Sequence, residues 1–426
     1  MLHSWMSRFA DIRPDEIRAT LWSFLYFFCL LAAYLILRPL RDEMGIAAGR
    51  DILQYLFTAT FFVMLVASPL YAGLVAKVPR QKFIPLIYRF FILNLALFWA
   101  LLFFKIDVTW TARIFFVWVS VFNLFAVSIF WSYMADLFAT DQGKRLFGFI
   151  AAGGTAGTLL GSSLTFGLSG LIGPANLLVA AAILLELAVI CAKKLECDAT
   201  QSAHEQKDST PKALGGGMLS GFHLIAHSPY LLGIALWVAL LSLAGTFLYF
   251  IQQDVVRNLS EDPAVRTRIF ASMDLIANLM TLALQFVATG QIIKRLGAGP
   301  ATALLPILFA LGFAALIVAP GLWTIIAFQA LQRTLNFAFS NPAREILFTS
   351  VAREEKYKAK NLIDTVIFRG GDVVWSWAFA GLAGLLGSAL AVAGWAIPIM
   401  AGWAGLALWL GRQQESRTQE AHGGKG

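Results

Sequence analysis

An all-helical membrane protein with twelve transmembrane spans is the fold class that this sequence predicts. Of its 426 residues, 58% are hydrophobic and only 14% are charged, whereas a soluble domain usually carries about 25% charged residues. The apolar residues also form long stretches separated by short basic loops. Because lipid offers no water to satisfy free backbone N–H and C=O groups, each stretch is expected to be a helix. About 20 residues are enough for a helix to cross the hydrocarbon core.

The predicted spans follow one another closely, and little of the chain is left for any other domain. Each stretch is long enough to cross the bilayer once. The spans are predicted at residues 19–43, 52–75, 82–104, 111–137, 146–170, 173–193, 228–256, 267–290, 300–319, 321–350, 361–387 and 389–411.

The distribution of basic residues predicts the orientation in the membrane. Cytoplasmic loops are rich in Lys and Arg. With the N-terminus in the cytoplasm, 21 of the 33 basic residues fall in cytoplasmic segments and 8 fall outside. Both termini are therefore predicted to be cytoplasmic, in a bacterial inner membrane. The net charge of +8 lies in these one-sided short loops, which argues against nucleic acid or a large soluble protein as a partner.

One polar connection divides the chain into two halves. Residues 195–221 are rich in polar side chains and include three consecutive glycines, a composition typical of a flexible linker. We therefore predict an N-terminal six-helix half over residues 1–194, a cytoplasmic linker over 195–221 and a C-terminal six-helix half over 222–426.

The two halves also repeat each other in sequence. The basic loop Gly73–Lys82 has a counterpart in Gly290–Gly297, and the fifth and eleventh spans each contain a Gly-Gly pair, Gly153-Gly154 and Gly370-Gly371. Two parallel six-helix halves joined by a cytoplasmic linker resemble the major facilitator architecture, which implies a solute site between the halves near mid-membrane. The first loop resembles the loop motif of that superfamily in part, because Lys77 stands where an acidic residue is usual.

Small residues recur on one face of the fifth span. Gly153, Gly157 and Gly161 are four residues apart, and such stripes let helix backbones approach closely in membranes. A phosphate-binding loop would need a Gly-Lys-Ser/Thr sequence after a strand, and neither feature is present. The stripe therefore predicts helix packing.

Charged residues inside the predicted spans indicate where a solute pathway lies. Each costs about 2.5–3.5 kcal/mol on insertion scales, so such residues are usually functional. Arg333 and Arg369 fall closest to mid-membrane. In the major facilitator architecture the first, fourth, seventh and tenth helices line the cavity, which adds two arginines of the first span. The candidate solute-binding residues are Arg38, Arg41, Arg333 and Arg369.

Other charged residues near the helix ends have structural alternatives. Arg344 and Glu345 lie beside a basic loop and are candidates for a gate or a capping ion pair. Lys360 and Asp364 are four residues apart and can pair on one helix face. The candidates for proton coupling or a charge pair are Asp136, Asp364 and Asp372.

Two segments resemble the ATP/ADP antiporter family of plastids and intracellular bacteria. The segment Leu37-Arg38-Pro39-Leu40-Arg41-Asp42 is similar to that family's Leu-Arg-Asp-Thr-Lys-Asp, which puts Arg41 in the place of a substrate-binding lysine. The segment Lys356–Asp364 matches the family's spaced lysines followed by Ile-Asp, and Arg369 fits the continuation. Asp372, however, replaces a functional lysine and reverses its charge.

The resemblance implies a small anionic solute such as a nucleotide, exchanged by alternating access with the four candidate arginines as phosphate partners. Two further hypotheses stay open. Asp364 and Asp372 favour proton-coupled transport of a different solute, and a non-transport membrane scaffold is the third hypothesis, against which the buried charges argue.

No enzyme activity, cofactor or metal is predicted. The sequence contains no ATPase or other catalytic constellation. Its cysteines, Cys29, Cys191 and Cys197, form no CxxC motif and are accompanied by no His cluster, so neither a disulfide framework nor a metal site is indicated. Acidic residues within the first 20 positions are unlike a cleavable signal peptide.

Overall fold

The computed structural model is helical throughout the residues that it describes. Among the described residues the chain forms no strand. The predicted linker beyond Ser202, the basic loop 287–296 and the lysine pattern at 352–358 lie outside the described residues. The described ranges are 13–49, 51–77, 80–202, 224–286, 297–351, 359–360 and 362–423.

A short 3-10 turn, Pro14–Glu16, precedes the long helices. The first six of these helices correspond to the first six predicted spans. They are α1 (Ile17–Ala47), α2 (Leu53–Lys77), α3 (Arg80–Phe103), α4 (Val108–Leu137), α5 (Thr140–Ile172) and α6 (Pro174–Ser202).

The six later helices correspond to the remaining predicted spans, and two of them contain a π-helical turn. Helix α10 comprises Leu322–Leu335, the π-helical turn Asn336–Ser340 and Asn341–Leu347, and helix α11 comprises the π-helical turn Ile363–Ile367 and Phe368–Leu386. The others are α7 (Pro229–Leu259), α8 (Pro263–Phe286), α9 (Ala298–Val318) and α12 (Ala389–Gly423).

Nine helices in the described part of the chain are long and apolar enough to cross a membrane. They are α1, α3 to α9 and α12. Helix α2 has a shorter apolar stretch, Leu53–Pro69, and the charged residues of α10 and α11 make those two helices less apolar. The predicted all-helical membrane fold is confirmed.

Prolines and glycines mark several helix boundaries. Helices α6, α7 and α8 each begin at a proline, which is favoured in the first turn because the first N–H groups of a helix have no partner within the helix. Gly173, with φ 78°, ends α5 immediately before Pro174. Gly387, with φ 76°, ends α11. These backbone conformations are ones that glycine adopts at little cost.

The helices form two compact units. The first comprises Met1–Ile52, Phe62–Thr210 and Ser260–Leu275, and the second comprises the remaining segments. The beginning of α8 therefore belongs to the first unit, and Leu53–Phe61, the beginning of α2, belongs to the second. The halves predicted from the sequence follow chain order, and their boundaries stay a prediction.

Helix α1 is the most buried helix of the first unit and packs against α4, α5 and α6. Tyr26 of α1 is fully buried and donates a hydrogen bond to Tyr88 of α3 over 2.9 Å. Tyr88 in turn donates to the carbonyl oxygen of Ala126 in α4 over 3.1 Å. This chain satisfies both buried hydroxyl groups, as burial away from water requires.

The predicted packing role of the glycine stripe on α5 is confirmed. A Cβ atom added at Gly153, Gly157 or Gly161 would overlap the backbone carbonyl oxygen of a residue in α1. At Gly157 that oxygen belongs to Phe28, and at Gly161 it belongs to Ala32. The absence of side chains at these positions lets α5 approach the backbone of α1 directly.

Glu16 joins the start of α1 to the start of α5. It is 5% exposed and accepts hydrogen bonds from Arg145 over 2.8 Å and from Gln142 over 3.0 Å. Burial by itself raises the pKa of Glu16, but hydrogen bonds from Arg145, the Arg13 backbone and Gln142 together hold this pKa below its usual value. The carboxylate form is therefore the one that this contact binds.

In the second unit, α9 and α12 make a close contact of the same kind. A Cβ atom at Gly411 would overlap the backbone of Gly299. Further along the same helix pair, the ring centres of Phe309 in α9 and Trp403 in α12 are 6.0 Å apart. The ring centres of Trp403 and Trp237 of α7 are 5.5 Å apart. Glycines bring the backbones together at one end, and large buried rings fill the space towards the other.

The glycine contact predicts a selective loss of stability. Gly157→Ala puts a methyl group where the carbonyl oxygen of Phe28 lies, so we expect the free energy of unfolding to fall by about 1–3 kcal/mol. The measurement is the melting temperature of the purified protein in detergent. Gly148→Ala is the matched control on α5, because no atom lies within 4 Å of its Cβ position, and alanine favours a helix by up to about 1 kcal/mol there. Equal melting temperatures for the two variants would contradict the close packing.

Candidate functional site

Charged and polar residues within the helices form one cluster in each compact unit. In the first unit the cluster lies at the C-terminal end of α1. Arg38 forms an ion pair with Asp274 of α8, with 3.6 Å between Nη1 and Oδ1, and the Asp274 side chain is 2% exposed. The guanidinium carbon of Arg41 lies 4.4 Å from the centre of the Phe116 ring of α4, within the range of a cation–π interaction.

A second ion pair in this cluster joins Glu43 of α1 to Arg266 of α8. Arg266 Nη2 donates to Glu43 Oε1 over 2.7 Å, and the two side chains are 11% and 1% exposed. The other carboxylate oxygen, Glu43 Oε2, is buried and has no hydrogen-bond partner among the described residues. Sequence reasoning missed this pair, because 223 residues separate its members and no spacing signal joins them.

In the second unit, α11 carries Arg369 and Asp372 onto α7. Ser242 Oγ donates to Asp372 Oδ1 over 2.6 Å, and Arg369 Nη1 lies 3.8 Å from Asp372 Oδ2. Gly371 allows this approach, since a Cβ atom there would lie 2.9 Å from Ser242 Oγ. The Asp372 carboxylate therefore accepts a short hydrogen bond from Ser242 and lies further from the guanidinium of Arg369.

Helix α10 carries a polar face in the same unit. Gln329, Arg333 and Asn336 are spaced as i, i+4 and i+7, which places them on one side of the helix up to its π-helical turn. Arg333 is half-buried. Gln329 donates from Nε2 to Oε1 of Gln252 in α7. The sequence shows the spacing of these polar residues on α10, but it does not show that Gln252 of α7 is the partner of Gln329.

The ends of α10 and α11 are joined by two ion pairs. Arg344 Nη1 lies 3.1 Å from Asp364 Oδ1, and Lys360 Nζ lies 2.6 Å from Glu345 Oε2. The predicted pair between Lys360 and Asp364 is wrong, since each of these residues pairs with α10 instead. Asp364 lies at the start of the π-helical turn Ile363–Ile367.

The remaining candidate, Asp136, lies at the C-terminal end of α4 and is exposed. The structure thus brings Arg38 and Arg41 together in the first unit and places Arg333 and Arg369 in the second. Among the described residues, no group of three or more His, Cys, Asp or Glu side chains could hold a metal ion.

Comparison with known proteins identifies the fold. No family model and no curated protein matches the sequence itself. The structure, however, resembles that of the nucleoside transporter NupG with a TM-score of 0.63 and 14% identity, covering 95% of this chain and 99% of that one. It also resembles a bacterial homologue of the iron transporter ferroportin, with a TM-score of 0.66, 12% identity and coverage of 91% and 99%.

A third solved structure gives the same result. A bacterial homologue of the human lysosomal transporter Spinster has a TM-score of 0.58 and 13% identity, covering 94% of this chain and 93% of that one. The protein therefore has the major facilitator fold, as the sequence predicts. The likeness shows the fold alone, and the resemblance to ATP/ADP antiporters stays a prediction.

The buried pair of the first unit yields a stability prediction. Arg266→Met leaves the Glu43 carboxylate buried without its cation, so we expect the free energy of unfolding to fall by about 3–5 kcal/mol. The double variant Arg266→Met/Glu43→Leu removes both charges and should recover most of that loss. Melting temperatures of the two variants in detergent provide the measurement. A double variant no more stable than Arg266→Met would show that the pair is not what stabilises this contact.

Proposed function

We propose that the protein is a secondary transporter that exchanges an anionic organic solute of the nucleotide class by alternating access. The observation that carries this proposal is the presence of arginines within membrane helices. Such residues are costly in lipid and usually mark a solute pathway. The major facilitator fold, which the chain shares with the three solved transporters, supports transport as the activity.

Arginine is suited to bind the phosphate groups of such a solute. Its planar guanidinium donates two parallel hydrogen bonds to phosphate, and it stays charged at any physiological pH. Arg369 is 49% exposed and lies 3.8 Å from its carboxylate neighbour, a distance that leaves N–H donors for a second anion. Arg333 lies on the polar face of α10, and the guanidinium of Arg41 lies against the Phe116 ring.

The nucleotide class is favoured by two separate indications. The segments around Arg41 and Arg369 resemble the ATP/ADP antiporters, in which a positive charge stands at the position of Arg41. In addition, one of the structures that this chain resembles is a nucleoside transporter by name, and a nucleoside is a nucleotide without its phosphates. The candidate arginines supply the hydrogen-bond donors that a phosphorylated form requires.

The proposal also covers the location of the protein in the cell, its orientation and its partners. The excess of basic residues in one set of loops supports a bacterial inner membrane with both termini in the cytoplasm. The solute and the lipid bilayer are then the partners of the protein, and the energy for transport comes from the exchanged solute. The ion pairs of Arg344 and Glu345 with α11 are proposed to act as a gate between α10 and α11 within the second unit.

The direct test is an exchange measurement with purified protein in proteoliposomes. The vesicles are loaded with unlabelled ATP and offered labelled ADP, with and without a pH gradient. We expect uptake of ADP that requires internal ATP and is independent of the gradient. Arg41→Gln and Arg369→Gln should each lower ADP uptake about 10- to 100-fold, because a hydrogen bond to a charged group contributes about 1.5–3 kcal/mol.

Arg412→Gln is the matched control for that test. Arg412 is an exposed arginine of α12, so its replacement removes the same charge from the second unit without touching the candidate site. The amount of folded protein in the membrane is measured for every variant. If both site variants exchange ADP normally, or are merely misfolded, the site assignment is wrong. If no organic anion tested is taken up by the unmodified protein, a scaffold role is the remaining hypothesis.

Proton-coupled transport of a different solute is the second candidate function. One observation favours it: the carboxylate of Asp372 lies within a predicted membrane helix, 2.6 Å from a neutral hydroxyl group but 3.8 Å from the nearest guanidinium nitrogen. Acidic residues within membrane helices often belong to proton pathways in transporters.

Asp372→Asn distinguishes a proton carrier from a charge pair. If Asp372 carries the coupled proton, the asparagine variant loses the dependence of transport on pH while exchange is retained. If Asp372 only neutralises Arg369, pH dependence is unchanged and anion affinity rises, because the arginine is released. Transport rates measured between about pH 5 and 8 separate these outcomes. If the variant matches the unmodified protein in both pH dependence and anion affinity, Asp372 takes no part in the mechanism.

A further inference from the structure

Three buried glutamine side chains belong to α7 and α10 of the second unit. Gln252 and Gln253 are each 1% exposed, and Gln329 is 5% exposed. Gln329 donates to Gln252 across the helix contact. Gln253, the next residue on α7, has both amide atoms buried without a hydrogen-bond partner among the described residues.

An amide without partners is unusual in a folded protein. The large majority of buried polar side-chain atoms have at least one hydrogen-bond partner, and an exception calls for a specific explanation such as a bound water or ion. Gln253 combines two N–H donors with one C=O acceptor, and burial without partners costs the whole desolvation of these groups. Its burial within a membrane helix therefore points to a partner that binds during function.

The chemistry of the amide defines that partner. An anion alone would use only the donors of Gln253, and a cation alone would use only its acceptor. A donor and an acceptor side by side are matched by the edge of a nucleobase, as when glutamine pairs with the amino group and ring nitrogen of adenine. A carboxylate or phosphate group is better bound by an arginine.

We propose that Gln253 recognises the base of the transported solute, with the Gln252–Gln329 hydrogen bond holding the neighbouring part of α7 against α10. This inference rests on the proposed transport of a nucleotide-class anion and assigns the residue that selects its base. Arg333 lies one helical turn from Gln329, about 6 Å along the axis of α10, so a candidate phosphate-binding group lies on the same helix that contacts Gln252.

A single substitution tests the assignment with two independent readouts. Gln253→Leu keeps the approximate size of the side chain and removes the unsatisfied polar atoms. We expect the melting temperature of the solute-free protein to rise by about 2 °C or more, because an unpartnered buried amide is replaced by an apolar group. Affinity for ADP should fall about 10- to 100-fold, whereas affinity for ribose 5-phosphate, which has no base, should be unchanged.

The matched control is Gln332→Leu, which removes an amide from the half-buried side of α10 and should leave both affinities unaltered. Binding is measured with the purified full-length protein in detergent. A Gln253→Leu variant that melts at a lower temperature would show that the amide has a structural partner, and the inference would be wrong. Equal loss of affinity for ADP and ribose 5-phosphate would also overturn it, because base recognition would not be affected selectively.

The same measurements separate this inference from the proposed function. If the unmodified protein binds ADP and ribose 5-phosphate and Gln253→Leu changes neither affinity, base recognition by Gln253 is refuted while anion binding stands. If the unmodified protein binds neither compound, the proposed function fails and this inference fails with it.

Discussion

The low dielectric of the bilayer interior makes an unpaired charge costly, and the charged groups described in these helices are arranged accordingly. In the first unit Arg266 lies 2.7 Å from the buried carboxylate of Glu43, and Arg38 lies beside Asp274. In the second unit Arg344 of α10 lies beside Asp364 of α11. Each pair joins two helices, so the pairing that keeps a charge tolerable in lipid also fixes which helix faces meet.

Close backbone contact is the second requirement, because apolar side chains gain little from leaving lipid for the protein interior. The glycines of α5 lie directly against the carbonyl oxygens of α1, and Gly299 lies against Gly411 in the second unit. These contacts hold the helices that carry the charged groups. The position of an arginine such as Arg38 therefore depends on glycines that themselves take no part in binding.

The second unit shows how local backbone irregularity serves the polar residues. The π-helical turn Asn336–Ser340 follows Arg333 by three residues, and the turn Ile363–Ile367 precedes Arg369 by two. Such turns rotate the following part of a helix relative to a regular α-helix and occur often at functional sites. Asp364, at the start of the second of these turns, contacts Arg344 of α10.

The sequence by itself determined the class of fold and the order of the helices, and it predicted the arginines that a solute site would use. These follow from hydropathy and from the cost of charge in lipid, which act on each segment separately. The tertiary structure decided the partners: Arg266 for Glu43, Glu345 for Lys360 and Ser242 for Asp372. Such pairs depend on how distant helices pack and on helix register, and neither is encoded in the spacing along one segment. The buried amide of Gln253 belongs to this second group, since only packing shows that it lacks a partner.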